Sequence, residues 1–246
     1  MKAAPEAQKR LLDLAELDTS LDRVRHRRRT LPDLAEIDEL SKRLARLATQ
    51  VIAAETEAGD LARDQAKAES DVDAVRVRVD RDTKRLDSGQ VSSPKDLASL
   101  QSEITSLRRR QSDLEEVVLE IMERREAADA QVESLRSERD KVTGTLRAAE
   151  ERRDAAFAEI DKEGGELTGR RTTVSADIPA DLLALYEKLR EQSGVGAAML
   201  HGGRCLGCRT SLSIADLNRI RAAAHDEVVR CEECRRILVR TAESGL

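Results

Sequence analysis

Residues 87–94 read Asp-Ser-Gly-Gln-Val-Ser-Ser-Pro, and this stretch is the strongest break between two long periodic segments of a 246-residue chain. Glycine and proline among serines are turn signals. After the turn, Ser93 suits the N-cap of a helix, Pro94 suits its first turn, and Asp96 lies where a negative charge favours the helix dipole. The stretch therefore predicts a short connection between two helices.

The segment before this turn carries a heptad repeat. Its seam residues recur in alternating steps of three and four, which is the spacing of a coiled coil rather than of a globular helix. The seam positions are Ile37, Leu40, Leu44, Leu47, Val51, Ala54, Ala58, Leu61, Gln65, Ala68, Val72, Val75, Val79, Asp82 and Leu86. A shorter apolar series runs from Leu14 to Val24. Pro32 lies between the two series, and proline removes a helical hydrogen bond, so we expect a kink or a short break between Arg29 and Asp33.

The segment after the turn repeats the pattern from Leu97 to Ile160. The two seams mirror each other about the turn in pairs such as Leu86 with Leu97, Val79 with Ile104, and Ile37 with Leu146. An intramolecular antiparallel hairpin with one short loop satisfies this symmetry. We therefore predict a mainly α protein whose residues 1–176 form a long antiparallel coiled-coil hairpin with its tip at about 87–94. If the same pairing continues past Pro32 toward residue 1, residue 174 lies opposite residue 8.

The composition favours long helices over a compact globular core. Charged residues make up 37% of the chain, and there is one Phe, one Tyr and no Trp. Core-filling aromatics are therefore almost absent, as is typical of coiled coils. No run approaches the roughly 18 apolar residues of a membrane span, and residues 1–6 lack the apolar region of a signal peptide. We expect a cytoplasmic protein with no membrane contact.

A short amphipathic helix is predicted after the hairpin. Asp177-Ile178-Pro179 breaks the chain, and residues 180–192 then place apolar side chains on one face. We expect the 177–193 segment to pack at the open ends of the hairpin, because those ends would otherwise expose apolar surface.

All four cysteines lie near the end of the chain, in two pairs with a two-residue gap. The pairs are Cys205 with Cys208 and Cys231 with Cys234. This gap lets both thiolates of a pair face one ion, and two pairs complete a tetrahedron. We therefore predict one Zn²⁺ in a domain spanning residues 194–246. Disulfide or redox chemistry is the alternative, but a thioredoxin-like site would need a βαβ pattern that the sequence lacks.

The predicted site is closed. Four thiolates leave no position for an activated water, so the expected role of the ion is structural and the protein is expected not to be an enzyme or to bind a small-molecule substrate. His201 and His225 lie close to the pairs and are alternative ligands. Ser213 begins a predicted helix that runs to about Ala222, and the strand candidates are residues 197–201, 227–230 and 236–240. A small sheet held by two cysteine knuckles is a zinc ribbon.

The whole pattern resembles a family of bacterial coiled-coil proteins with a C-terminal C4-type zinc ribbon. The resemblance lies in the long hairpin, its tip sequence at 91–104, the 178–186 helix and the Cys231-Glu232-Glu233-Cys234 motif with the residues that follow it. This sequence departs from the family pattern at Arg235, where glycine is common, and at Val239, where an aromatic is common. The resemblance implies a non-enzymatic role, with relatives linked to nucleic-acid binding and to protein contacts in flagellar or secretion-system biogenesis.

Clusters of arginine are the remaining candidates for partner contact. One lies near the tip and one in the ribbon, with the candidate residues Arg108, Arg109, Arg110, Arg204, Arg209, Arg235, Arg236 and Arg240. A further basic run occupies residues 23–29. Such residues can also form a solvated helix face with intrachain pairs. Two hypotheses follow: an adapter that uses the ribbon and hairpin to contact a protein partner, or a regulator that contacts the phosphates of RNA or DNA.

Overall fold

The computed structural model describes residues 1–246, which divide into two compact units. One unit comprises Ala35–Glu150, and the other comprises Met1–Leu34 together with Glu151–Leu246. The helices are α1 (Pro5–Arg29), α2 (Pro32–Asp87), α3 (Pro94–Ala176), α4 (Ala180–Ser193) and α5 (Ile214–Ala222), and the strands are β1 (Ala197–His201), β2 (Arg204–Cys205), β3 (Val229–Arg230) and β4 (Ile237–Val239). This helical hairpin with a small C-terminal sheet confirms the predicted fold class. No helix contains a stretch long and apolar enough to cross a lipid bilayer.

The unit Ala35–Glu150 is built from α2 and α3, joined by the turn at residues 88–93. The turn includes Gly89 at φ 69°, a left-handed conformation that glycine adopts without steric cost. The side chains that the two helices bury belong to the predicted heptad seams. They include Leu47, Val51, Leu61, Val72 and Val79 from α2, and Leu100, Ile104, Val132 and Val142 from α3.

Ion pairs between α2 and α3 show that the two helices are antiparallel. Position numbers fall along α2 as they rise along α3 in the pairs Arg78–Glu103, Glu55–Arg136 and Arg43–Glu138. The individual seam layers, such as Val79 with Ile104, stay a prediction. One seam position is occupied by a buried acid, since Asp82 lies between Arg81, at 3.1 Å, and Arg78, at 3.9 Å.

The proline at position 32 separates α1 from α2. Helix α1 ends at Arg29, where the Thr30 hydroxyl donates to the His26 carbonyl at 2.9 Å. The register extrapolated through this break is wrong. It places Asp18 opposite Gly164, whereas a Cβ at Gly164 would lie 3.6 Å from a methyl carbon of Val24. The interruption between α1 and α2 resets the heptad count, so the pairing of α1 with α3 does not continue that of α2.

The core of the unit that holds the cysteines forms where α1 and α4 meet the sheet. Leu182, Tyr186 and Leu189 of α4 pack with Leu11 and Leu14 of α1 and with residues of β1 and β4. A buried ionic cluster lies beside this core. The fully buried Asp18 accepts hydrogen bonds from Tyr186 at 2.7 Å and from Arg171 at 2.6 Å, and it pairs with Arg190 at 3.1 Å. The cluster ties α1, α3 and α4 together.

The sheet has the strand order β2-β1-β4-β3. Strands β1 and β4 are parallel, with Ala197 opposite Ile237, and the two outer pairs are antiparallel. Strand β1 has the expected bounds, β3 and β4 are shorter than the segments 227–230 and 236–240, and β2 was not anticipated. The N-terminal residues add a further strand-like contact, since the Val228 amide donates to the Met1 carbonyl at 3.1 Å and the Ala3 amide donates to the Asp226 carbonyl at 2.7 Å.

Candidate metal centre

The four cysteines converge at one end of the sheet. Cys205 closes β2, Cys231 follows β3, and Cys208 and Cys234 lie in the tight turns after them. All four sulfur atoms lie within 4.8 Å of one another. The Sγ–Sγ distances are 3.8 Å both for Cys205 with Cys234 and for Cys208 with Cys231. A tetrahedron with Zn–S bonds of about 2.3 Å has edges of about 3.8 Å, so the spacing fits a zinc ion held by four thiolates.

The two knuckles are closed by matching backbone hydrogen bonds. The Arg209 amide donates to the Cys205 carbonyl at 2.7 Å, and the Arg235 amide donates to the Cys231 carbonyl at 2.9 Å. Gly207 in the first knuckle has no room for a side chain, because a Cβ there would lie 2.9 Å from both Ala198 Cβ and Arg236 Cδ. The turn therefore requires glycine between the two ligands.

Burial raises the pKa of two of the thiols, and hydrogen bonding lowers the pKa of a third. Burial raises the pKa of Cys205 and raises that of Cys231 to about 12. A hydrogen bond from Thr210 lowers the pKa of Cys208 to about 6. The buried thiols would keep their protons without a nearby cation, since desolvation disfavours the thiolate. A bound Zn²⁺ supplies that positive charge, and the closed tetrahedron of four sulfurs makes the ion a structural one.

Both knuckles end in a left-handed arginine. Arg209 has φ 61° and Arg235 has φ 62°, the only residues other than glycine with positive φ. For a side chain with a Cβ, this conformation costs about 1–2 kcal/mol relative to the right-handed region. Arg235, which stands where glycine is common in the family, is thus a strained position. Arg209 in the first knuckle carries the same strain.

The alternative histidine ligands lie outside the cluster. His201 Nδ1 is 3.3 Å from a carboxylate oxygen of Glu243, and the His225 carbonyl accepts from Arg240. Neither imidazole belongs to the group of four close sulfurs. The ligand set is therefore the four cysteines alone.

Two of the arginines predicted to contact a partner are used inside the fold. Arg236 donates to the Val195 and Ser193 carbonyls at 3.0 and 2.8 Å. Arg240 donates to five carbonyls at and beyond the C-terminal end of α5, those of Ile220, Ala223, Ala224, His225 and Glu227. Their guanidinium groups therefore hold the ribbon together through bonds to its backbone, and a role in partner contact stays a prediction for both residues.

The remaining candidate arginines differ in their surroundings. Arg204 donates to the Arg209 carbonyl at 3.1 Å. Arg209 and Arg235 have exposed side chains at the knuckles, and Arg108, Arg109 and Arg110 are exposed on α3 of the other unit without ion pairs. In the basic run of α1, Arg25, Arg27 and Arg28 are paired with Asp22, Glu163 and Asp161. The interpretation of that run as a helix face with intrachain pairs holds for these three residues.

One arrangement in the ribbon was missed from the sequence. Arg230 Nε donates to the Arg235 carbonyl at 2.9 Å, which repeats the bond from Arg204 to Arg209 in the first knuckle. The signal is present as a repeated motif, Arg-Cys-x-x-Cys-Arg, at residues 204–209 and 230–235. The motif could have been found by comparing the two cysteine pairs together with their flanking residues.

Comparison with known proteins supports the same two-part description. Residues 14–194 match the CT398-like coiled coil hairpin domain, and residues 204–238 match the C4-type zinc ribbon domain. An uncharacterized protein of Mycobacterium tuberculosis is 40% identical over 240 residues, which cover 98% of each chain.

Solved structures extend the comparison. A protein from Mycobacterium smegmatis has 38% identity and a TM-score of 0.86, covering 98% of this chain and 100% of its own. CT398 from Chlamydia trachomatis shares the fold at 20% identity, with a TM-score of 0.71 over 95% of this chain and 97% of its own. The chain therefore belongs to the CT398-like coiled-coil hairpin family and carries a C-terminal C4-type zinc ribbon.

Proposed function

We propose that this protein is a non-enzymatic, zinc-binding adapter that contacts a protein partner through its hairpin and its ribbon. The observation that carries the proposal is apolar surface on the hairpin that the coiled-coil seam does not use. Leu119 is 59% exposed and Met122 is 44% exposed, although both lie in a helix whose seam is already filled by other residues. Exposed apolar side chains that lie next to one another form a contiguous patch, and such patches mark interaction sites.

These side chains lie next to a groove between α2 and α3. The groove has a volume of about 430 Å³ and is lined by Val72, Val118 and Leu119 together with charged residues. Met122 lies one helical turn beyond Leu119 and Val118, so it extends the apolar wall along the helix. A shallow channel between two helices with an apolar floor has the form that an amphipathic helix fills.

The charges on the groove favour a basic partner helix. Glu69 and Glu115 line opposite sides and accept hydrogen bonds only from the neutral Gln65 and Gln111. Asp73 is neutralised by Arg76, so two carboxylates remain uncompensated. The occupant that we propose is therefore an amphipathic helix with lysine or arginine beside its apolar face.

The ribbon offers a second apolar contact. Leu206, in the first knuckle, is 47% exposed, and Ile214, at the start of α5, is 80% exposed. Neither residue takes part in the buried clusters of its unit. Such residues suit contact with protein better than contact with the phosphates of a nucleic acid.

A peptide-binding experiment tests the hairpin site. The probe is a fluorescent amphipathic helical peptide with lysines beside its leucine face, and its matched control carries glutamates in their place. We expect the lysine peptide to bind the full-length protein, and the double variant Leu119→Ser, Met122→Ser to weaken that binding at least about tenfold. Val77→Ser is the matched control, because Val77 is 67% exposed but does not line the groove.

Two results would contradict the proposal. One is equal affinity for the lysine and glutamate peptides. The other is equal loss of binding in the Val77 variant and the double variant. If the proposal holds, a photo-crosslinking residue at position 119 should capture a protein in cells, and the same residue at position 77 should not capture it.

Nucleic-acid binding is the second candidate, favoured by the three unpaired arginines at 108–110. If it holds, affinity for RNA or DNA falls steeply with salt, because phosphate contacts release counterions. Reversing Arg108, Arg109 and Arg110 to glutamate should then abolish binding, whereas reversing Lys67, Lys141 and Lys162 changes the charge equally and should have little effect. A salt-independent response, or equal effects of the two triple variants, would exclude this function.

A further inference from the structure

The two zinc knuckles repeat one arrangement of side chain and backbone. Each consists of Arg-Cys-x-x-Cys-Arg, at residues 204–209 and 230–235, and each ends in a left-handed arginine. The amide of that last arginine bonds the carbonyl of the first cysteine, and the first cysteine amide bonds a carbonyl beyond the knuckle, that of Thr210 or Arg236, at 3.0 Å in both cases. The knuckles are therefore equivalent in their backbone hydrogen bonds as well as in their ligands.

In each knuckle, the side chain of the first arginine donates a hydrogen bond to the backbone at the other end of the turn. Arg204 Nη2 donates to the Arg209 carbonyl at 3.1 Å, and Arg230 Nε donates to the Arg235 carbonyl at 2.9 Å. In both knuckles the donor comes from the residue just before the first ligand, and the acceptor comes from the residue just after the second. The guanidinium group thus connects the two ends of the turn that carries both sulfurs.

These bonds act on a strained part of the turn. Arginine has no intrinsic preference for the left-handed region, so the backbone at Arg209 and Arg235 needs support from its surroundings. If either residue relaxed, the adjacent ligand, Cys208 or Cys234, would shift relative to its partner.

We propose that Arg204 and Arg230 are positioning residues of the zinc site, which hold the left-handed ends of the two knuckles and so slow the release of zinc. Partners that orient metal ligands typically change metal affinity by about 10- to 100-fold when they are removed. Because each arginine supports one knuckle, the effects of the two substitutions should combine.

The test is zinc transfer from the full-length protein to a coloured chelator. Arg204→Ala and Arg230→Ala should each release zinc about tenfold faster than the wild type, and the double variant faster still. Arg221→Ala is the matched control, because Arg221 is exposed on α5 and bonds only Asn218, at 3.2 Å. Cobalt substitution gives a second readout, since the absorption spectrum reports whether four thiolates still surround the metal.

A rescue experiment separates this role from general destabilisation. Glycine adopts the left-handed conformation freely. Arg204→Ala combined with Arg209→Gly should therefore return zinc release to near the wild-type rate, and Arg230→Ala with Arg235→Gly should do the same. If Arg204→Ala does not fold but the combined variant does, the positioning role is supported. Release at the rate of the Arg221 variant, or failure of glycine to rescue, would overturn it.

Discussion

Replacing Asp18 with asparagine should destabilise the unit that contains the zinc ribbon by about 3 kcal/mol. The Asp18 side chain is completely buried and lies within 3.1 Å of donors on Arg171, Tyr186 and Arg190. Asparagine keeps the shape but loses the charge and one of the two acceptor oxygens, and the NH2 group that replaces that oxygen faces the donors of the guanidinium groups or of the phenol. The substitution thus tests the electrostatic contribution of the cluster with little change in packing.

The magnitude follows from what remains after the substitution. Removing one member of a buried ion pair costs about 3–5 kcal/mol, because the other charge is left without compensation. The lower end of this range applies to Asp18. Arg171 and Arg190 keep 20% and 21% of their side-chain surface exposed, and Glu187 lies 2.5 Å from Arg171 and 3.7 Å from Arg190. Water and Glu187 therefore compensate part of the lost interaction.

The assay uses the only tyrosine in a chain without tryptophan. Tyr186 lies in the cluster, so urea unfolding followed by tyrosine fluorescence reports on this unit, whereas circular dichroism reports on all the helices. Asp22→Asn is the matched control, because Asp22 lies on the same helix but forms an exposed pair with Arg25, and it should change stability by less than about 0.5 kcal/mol. Equal unfolding midpoints for the two variants would refute the reasoning.

Further predictions concern the zinc site, pH and two glycines. Cys231→Ser should lose the bound zinc, measured by metal analysis, and should unfold the ribbon, because zinc supplies much of the folding energy of such domains. Burial and Asp18 raise the pKa of Tyr186, so the contribution of this phenol to stability should be fully present below pH about 10 and should be lost as pH rises further; Tyr186→Phe should reduce that loss in urea titrations. Gly165→Ala should raise stability by up to about 1 kcal/mol in thermal unfolding, since the helical position has open space around it. Gly196→Ala should destabilise by about 2 kcal/mol or more in the same assay, because its Cβ would overlap the Tyr186 carbonyl oxygen.

The hairpin and the metal site could be predicted because both are encoded locally. A heptad seam needs only the spacing of apolar residues along one helix, and the turn at 87–94 needs only its own glycine and proline. The spacing of the cysteines within each pair likewise predicts a zinc site. The spacing alone predicts Cys208 and Cys234 as ligands, although the sheet is what brings the two pairs together.

The features that were missed depend on residues distant in sequence. Asp18 gives no sign in its own helix that it will be buried, because its partners are on α3 and α4. The register of α1 against α3 could not be extrapolated through Pro32, since a break in the helix permits any offset. The two-residue strand β2 has no periodicity of its own and exists because Leu200 pairs with Cys205.

The assembly of the unit with the zinc ribbon from two separate stretches has a consequence for synthesis. Helix α1 leaves the ribosome before the α2–α3 hairpin, yet the residues that bury its apolar face, including Leu182, Tyr186 and Ile237, are made after that hairpin. The α2–α3 hairpin between them can form outward from its turn, because the contacts nearest the turn are local. During translation, Leu11 and Leu14 therefore lack the residues that bury them in the folded protein, and apolar surface exposed in this way is open to chaperones and to aggregation.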